Sequence, residues 1–279
     1  MDLRAFARRG EGLYPVRLVR AYADSGAPNY AAGLAFNMFM STFPLMLGLL
    51  AIVGLVLRDP VQLAQVQAAL LTFFPTEAHD AVRKTLGQVR DRAGILGIIG
   101  LVGLLWSGSS VFAAMEFALG QMLGAPQRSF VRQRVMTLLM TAVFAAVVVA
   151  SVLANTALAF ARSIPFAGPV AGAVVWIAFM VMIYRFVPNN AFSAVRQVWL
   201  GALLAGVLME LLTLVWPVYG KFTNGFNTYG SAFALFFLLA TWMYLLSQLI
   251  LLGAVANRMR LGPPEPKSTG SSLPKATLK

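Results

Sequence analysis

The chain has 279 residues, of which 59% are hydrophobic and only 11% are charged, and it carries a formal net charge of +12. Ordinary globular proteins are about 45–50% apolar and about 25% charged, so this composition excludes a water-soluble fold and a disordered chain. Cysteine is absent, which excludes disulfides and thiolate metal sites. We therefore predict an all-α membrane protein, a six-transmembrane-helix bundle with amphipathic helices in a long outer loop.

Residues 1–28 form a basic segment that precedes the first predicted span. Within residues 3–22, arginines alternate with apolar side chains, which is typical of an amphipathic helix lying in a membrane interface. Anionic lipids attract such basic segments electrostatically. The sequence thus predicts a cytoplasmic interfacial segment whose partners are the anionic lipids of the inner leaflet.

Six apolar stretches are long enough to cross a bilayer, which takes about 20 residues at about 1.5 Å per residue. They are Tyr30–Leu57, Ile95–Leu123, Val135–Phe160, Val170–Phe186, Val198–Val218 and Ser231–Ala256. Residues 29–257 accordingly form the predicted transmembrane domain. It includes an outer loop, residues 58–93, with short helices predicted at 61–74 and 78–89. Residues 258–279 are predicted to be a disordered cytoplasmic tail.

The basic residues are divided unequally between the two sides of this predicted bundle. Fifteen lysines and arginines lie on the side of both termini, and seven lie on the other side. The positive-inside rule then places both termini in the cytoplasm, in a multi-pass protein of a bacterial inner membrane. The net charge is interpreted as a topology signal, and we predict no nucleic-acid partner.

Several polar residues interrupt the apolar spans. Pro44 lies in the middle of the first span, where it removes a backbone donor and should kink the helix. Asn37 and Ser41 lie close to it, so they either satisfy the carbonyl that Pro44 leaves free or line a polar path. Asn155 in the third span and Tyr229 in the turn before the last span complete this candidate path.

Two acidic residues lie within the predicted spans. Glu116 is near the inner interface, where we expect an ion pair with Arg185, with Arg128 and Arg132 as alternatives. Glu210 lies past the midplane of the fifth span, where a charged carboxylate costs about 2.5 kcal/mol or more. It should therefore face the interior, be paired or be protonated, and structural and functional roles are equal alternatives.

Small residues recur along the fifth span at Gly201, Ala202, Ala205 and Gly206. Small side chains let helix backbones approach closely in lipid, where association depends on packing. We predict that they are helix contacts, with a seam along which helices slide as the alternative.

Several strings occur in the order typical of the YihY/BrkB family of bacterial inner-membrane proteins, which the chain resembles over about residues 13–257. They are Ser41-Thr42-Phe43-Pro44, Leu105-Trp106-Ser107-Gly108-Ser109, Tyr184-Arg185-Phe186-Val187-Pro188-Asn189 and Trp242-Met243-Tyr244. The resemblance implies an inner-membrane helix bundle. Transport, envelope-lipid and virulence-related roles have been proposed for members. The family's old ribonuclease BN label is generally regarded as a misassignment.

No catalytic, cofactor or metal site is predicted. The only histidine, His79, lies beside Glu77 and Asp80, but these spacings do not converge on one face of a helix. This trio also lies on the side away from cytoplasmic RNA, so we expect neither ribonuclease nor other enzymatic activity. We predict a transporter or flippase-like protein for a lipid, an amphipathic molecule or a small envelope-related solute. The alternative is a non-transporting envelope scaffold, and a homo-oligomer is compatible with both.

Overall fold

The computed structural model describes residues 14–56, 93–157, 167–189, 194–222 and 231–261, and these residues form seven α-helices and no β-strand. The helices are α1 (Tyr14–Asp24), α2 (Ala27–Val56), α3 (Ala93–Leu123), α4 (Phe130–Ala157), α5 (Ala167–Phe186), α6 (Val195–Phe222) and α7 (Ser231–Leu261). The predicted all-α class is therefore confirmed.

Five of these helices contain stretches that are long and apolar enough to cross a membrane. The stretches are Leu101–Leu123, Phe130–Val147, Gly168–Phe186, Val195–Val215 and Phe236–Leu261. Helix α2 has 30 residues and coincides with the first predicted span. The structure thus shows five candidate spans among the described residues, and the exact count of six stays a prediction.

The predicted span limits agree with the helices to within a few residues, except at the end of α7, which extends to Leu261 instead of Ala256, and at the start of α4. Helix α4 begins at Phe130 rather than at the predicted Val135. The prediction started too late because Arg132 and Arg134 in the first turns interrupt the apolar stretch. Helix α1 lies within the predicted amphipathic segment. The predicted outer-loop helices and the tail from residue 262 onwards lie outside the described residues.

The long helices pack side by side in a bundle. Helix α3 packs against α2 and α4, α2 packs against α7, and α6 lies between α7 and α5. Phe144 of α4 reaches Phe179 of α5, with ring centroids 5.7 Å apart. Helix α1 lies at one end of the bundle, together with the starts of α2, α4 and α6 and the ends of α3, α5 and α7. We call this the basic end because arginines there connect α3, α5, α6 and α7.

A tight turn joins α3 to α4 at the basic end. Gly124 has a φ of 65°, a left-handed conformation that glycine adopts without steric cost because it lacks a β-carbon. The N–H of Ala125 donates to the carbonyl of Gly120 at 2.9 Å, which completes a Schellman motif at the end of the helix. The turn sends the following residues, including Arg128, back along α3.

Small residues bring α6 into backbone contact with both of its neighbours. A β-carbon at Gly201 would overlap the backbone oxygen of Gly253 in α7, and one at Gly206 would overlap the backbone of Ile177 in α5. The two alanines of the predicted motif are fully buried. The prediction that these small residues are helix contacts is therefore confirmed.

Two buried hydrogen bonds cross the same junction. The hydroxyl of Tyr184 in α5 donates to the carbonyl of Ile250 in α7 at 2.7 Å. The N–H of Gly201 donates to Oδ1 of Asn257 at 2.7 Å. Because Tyr184 and Asn257 are fully buried, these bonds supplement the close packing that holds helices together in lipid.

Helix α1 is docked on the bundle through Leu18 and Tyr22. Leu18 belongs to the buried core, and the hydroxyl of Tyr22 donates to Oε1 of Gln248 in α7. Burial, together with the neighbouring phenol of Tyr244, raises the pKa of Tyr22 from 10.0 to about 12. The phenol is therefore neutral and bonded at physiological pH. Val16 and Val19 point outward and are exposed, as an interfacial helix requires.

We expect Tyr22→Phe to loosen α1, because the substitution removes a hydrogen bond worth about 1 kcal/mol and leaves Gln248 without its donor. The chain has no cysteine, so a spin label on Val19→Cys reports on this helix alone. Its mobility should increase in the Tyr22→Phe background.

Alkaline titration supplies the control. The folded pKa of Tyr22 exceeds its ordinary value, so the bond contributes fully below pH 10.0 and its contribution is lost as the pH rises towards about 12. Label mobility should rise over this window in the parent protein and change little in Tyr22→Phe. Equal titration of both proteins would contradict the assignment.

Candidate functional site

A groove of about 480 Å³ lies near the basic end, between the start of α2, the second half of α3 and the first turns of α4. Its lining consists of Asn29, Tyr30, Gly33, Leu34 and Asn37 from α2, Ser110, Ala113, Ala114, Phe117 and Ala118 from α3, and Gln133 and Arg134 from α4. The α2 and α3 residues recur at intervals of three and four, so they lie on one face of each helix.

Small residues along these facing surfaces create the space. A β-carbon at Gly33 would have no atom within 4 Å, so the groove is open at this glycine. Ala113 and Ala114 face it from α3 with side chains of one carbon. The rings of Tyr30 and Phe117 meet edge to face, with centroids 6.0 Å apart. The groove therefore has an open centre and an aromatic pair.

The lining of the groove is amphipathic. Leu34, Phe117 and the alanines supply apolar surface, whereas five lining residues carry amide or hydroxyl groups. Nδ2 of Asn37 donates to the carbonyl of Gly33 at 2.9 Å, which holds this amide along α2. Arg134 is the one charged residue among those that line the groove. Such a lining suits a ligand with a polar and an apolar part.

Arg134 is held in place by polar and aromatic neighbours. Its Nη1 donates to the hydroxyl of Ser109 at 2.9 Å, and that hydroxyl is also 3.1 Å from Oγ1 of Thr137. The guanidinium lies over the rings of Trp106 and Phe130, at 5.7 and 5.5 Å from their centroids. Both rings are 71% exposed. Arginine and aromatic residues together are typical of a membrane–water interface.

The α2 residues of the predicted polar path do not all line the groove. Asn37 lines the groove, whereas Ser41 is buried between α2 and α3. Hydroxyls of Ser41 and Ser107 each donate to the carbonyl of the other, at 3.2 and 3.0 Å. Pro44 leaves the carbonyl of Met40, four residues earlier, without its helical donor. Helix α2 nevertheless continues past this proline, against which Gly103 packs. Ser41 and Pro44 therefore belong to the helix interface.

The other predicted path residues do not line the groove in the part of the chain that the structure describes. Glu210 of α6 faces α5, where a β-carbon at Gly172 would overlap its carboxylate. This half-buried carboxylate makes no hydrogen bond or ion pair with the described residues. The structure therefore places Asn37 and Glu210 at different helix interfaces. The side chain of Asn155 and the whole of Tyr229 lie outside the described residues.

Glu116 forms an ion pair with Arg128 rather than with Arg185. Oε1 of Glu116 is 2.8 Å from Nη1 of Arg128, and the glutamate side chain is 2% exposed. The guanidinium of Arg185 instead lies over the ring of Phe186, 5.4 Å from its centroid. The physical reason is the turn at Gly124, which brings Arg128 back to α3.

Arg128 also caps the end of α5. It donates to the carbonyls of Phe186 at 2.9 Å, Val187 and Pro188 at 3.4 Å. The last carbonyls of a helix lack intrahelical donors and carry partial negative charge, so a cation stabilises them. Oε2 of Glu116 has no hydrogen-bond partner in the described structure. The cluster thus connects α3, the turn and α5 through one arginine.

Sequence reasoning missed the residues that give the groove its character. It counted Arg134 among the charges that set the topology, and it gave no site role to Arg134, Gly33, Ser110 or Gln133. The available signal was the position of Arg134 four residues after Phe130, next to Arg132 and Gln133 at the start of a helix whose later turns are mostly apolar. Polar residues at the start of a spanning helix are common, so this signal alone does not define a site.

The described residues contain no group of three or more histidine, cysteine or acidic side chains that could hold a metal ion. Glu77, His79 and Asp80, which were considered as such a trio, lie outside the described part of the chain.

Long apolar helices packed in a bundle, with arginines at one end, define the chain as an α-helical membrane protein. Residues 18–270 match the family described as virulence factor BrkB. The chain belongs to this family, as the strings in the sequence predicted.

Two relatives are named UPF0761 membrane proteins. The chain is 33% identical to the protein of Idiomarina loihiensis over 94 residues, which cover 32% of this chain and 33% of that protein. It is 25% identical to the protein of Pseudomonas paraeruginosa over 248 residues, which cover 85% of this chain and 60% of that protein. The chain thus spans less than two thirds of the length of either relative. No solved structure matches it.

Proposed function

We propose that the protein is a flippase-like transporter that takes up a lipid or another amphipathic molecule in the groove between α2, α3 and α4. The observation that carries this proposal is the lining, in which apolar side chains adjoin five neutral polar groups and one arginine. A small polar solute would need a closed cavity with more polar groups. The open, mixed lining favours a ligand with an apolar part.

The surroundings of the groove support entry from the bilayer. Phe36 and Met40 of α2 and Leu139 of α4 are large, apolar and exposed. In a spanning helix such residues contact acyl chains, because water is excluded from the bilayer core. A lipid can then reach the groove sideways between α2 and α4, which barely touch each other.

The arginines at the basic end support an orientation in the bacterial inner membrane. Under the positive-inside rule this end, and with it the groove and both termini, faces the cytoplasm. The ligand would then enter from the inner leaflet. We assign no hydrolytic chemistry to the chain, since transport along a groove requires none.

We expect reconstituted protein to accelerate the translocation of a fluorescent phospholipid across vesicle membranes, measured by quenching with dithionite. Gly33→Leu should reduce this rate to that of protein-free vesicles, because the new side chain fills the groove. The matched control is Gly168→Leu in α5, since both glycines have no atom within 4 Å of an added β-carbon.

The control should retain the rate of the original protein. Translocation that Gly33→Leu leaves unchanged would remove the groove from the mechanism. Lipid binding by a protein that never accelerates translocation would instead favour the non-transporting scaffold.

A further inference from the structure

We propose that the groove selects a negatively charged lipid head group and that Arg134 is the residue that binds it. This inference rests on the proposed function, because it names the class of ligand for the same groove. Three features of the groove carry it, namely its charge, the geometry of the guanidinium and the position of the apolar lining.

The groove is positively charged and Arg134 is its source. No acidic residue is among those that line the groove, and no carboxylate pairs with Arg134 among the described residues. Arg128, by contrast, is neutralised by Glu116 at 2.8 Å. Arg134 also lies near the start of α4, where the helix dipole adds partial positive charge. An anion is therefore favoured at this position.

The guanidinium of Arg134 is preorganised to bind an oxyanion. Arginine has five N–H donors in a planar fork that fits phosphate and carboxylate groups bidentately. The contact to Ser109 uses one nitrogen, and the other donors have no partner among the described residues. The rings of Trp106 and Phe130 restrict the plane of the fork. Binding therefore costs little additional side-chain entropy.

The groove that Arg134 lines also has apolar walls. Leu34 and Phe117 border the groove together with the alanines of α3. An acyl chain can lie against these residues while the head group meets Arg134. A zwitterionic head group would bring a cation towards Arg134, and no carboxylate in the lining would balance it. The geometry thus points to an anionic lipid rather than to a zwitterionic lipid or a free anion.

The test compares phosphatidylglycerol with phosphatidylcholine of identical acyl chains by native mass spectrometry of the full chain in detergent. A charge-assisted hydrogen bond contributes about 1.5–3 kcal/mol, so the protein should prefer phosphatidylglycerol by about tenfold or more. Arg134→Gln should abolish this preference, and Arg134→Lys should restore part of it. Arg132→Gln, which changes an exposed arginine nearby, should keep the preference of the original protein.

An undiminished preference in Arg134→Gln would overturn the inference. Displacement of phosphatidylglycerol by glycerol 3-phosphate at equal concentration would also overturn it, because the site would then recognise a free anion. Gly33→Leu separates this inference from the proposed function. If it abolishes lipid binding while Arg134→Gln keeps the preference, the groove holds lipid and Arg134 does not select it. If Gly33→Leu leaves lipid binding intact, both proposals fail.

Discussion

Arg128→Gln should destabilise the protein strongly, because it leaves the carboxylate of Glu116 buried without its cation. Oε1 of Glu116 is 2.8 Å from Nη1 of Arg128 and the side chain is 2% exposed. Removing one partner of a buried ion pair costs about 3–5 kcal/mol. At about 2–4 °C per kcal/mol for a chain of this size, the melting temperature in detergent should fall by roughly 10 °C.

Two controls separate the ion pair from the general loss of a positive charge. The double variant Glu116→Gln/Arg128→Gln should recover part of the loss, because it leaves no uncompensated buried charge. Arg185→Gln should lower the free energy of unfolding by no more than about 1 kcal/mol, since it removes only a cation–π contact at a partly exposed site. Equal melting temperatures for Arg128→Gln and Arg185→Gln would contradict the importance of the pair.

Gly201→Val should prevent α6 and α7 from packing and yield aggregated protein. A β-carbon at Gly201 would overlap the backbone oxygen of Gly253. Because this is a backbone atom, the overlap can be relieved only if α6 and α7 move apart. Overpacking usually costs about 1–3 kcal/mol and occasionally more. Separation would also break the buried hydrogen bond from Gly201 to Asn257. We therefore expect the upper end of this range, measured as loss of the monodisperse peak in size-exclusion chromatography.

The matched control for this substitution is Gly168→Val, which places the same side chain in a spanning helix where nothing lies within 4 Å of the β-carbon. It should remain monodisperse, with a melting temperature close to that of the original protein. A monodisperse Gly201→Val with an unchanged melting temperature would show that α6 and α7 do not meet as described.

The helices follow from hydropathy because an apolar stretch of sufficient length has few alternatives to a helix in lipid. The small residues from Gly201 to Gly206 likewise indicated a helix contact. The start of α4 was not predicted, because Arg132 and Arg134 interrupt the apolar pattern there. A helix that extends beyond the hydrocarbon keeps its backbone hydrogen bonds while its side chains become polar, and hydropathy does not detect that extension.

The site was less predictable, because a sequence shows which residues share a face of one helix but not which helices are neighbours. Asn37 was identified and does line the groove, whereas Glu210 lies against Gly172 on another interface. The partner of Glu116 depended on the turn at Gly124, which brings back Arg128. These outcomes depend on contacts between helices that are distant in the sequence.

Photo-cross-linking in reconstituted vesicles tests most directly whether the groove holds a lipid. A phosphatidylglycerol with a diazirine in its acyl chain is activated by light, and the labelled peptides are identified by mass spectrometry. We predict labels concentrated on residues 29–37 and 110–118, with a clear loss of these labels in Gly33→Leu. Labels spread evenly over exposed faces, such as Val170 and Val174 of α5, and unaffected by Gly33→Leu would contradict a lipid site in the groove.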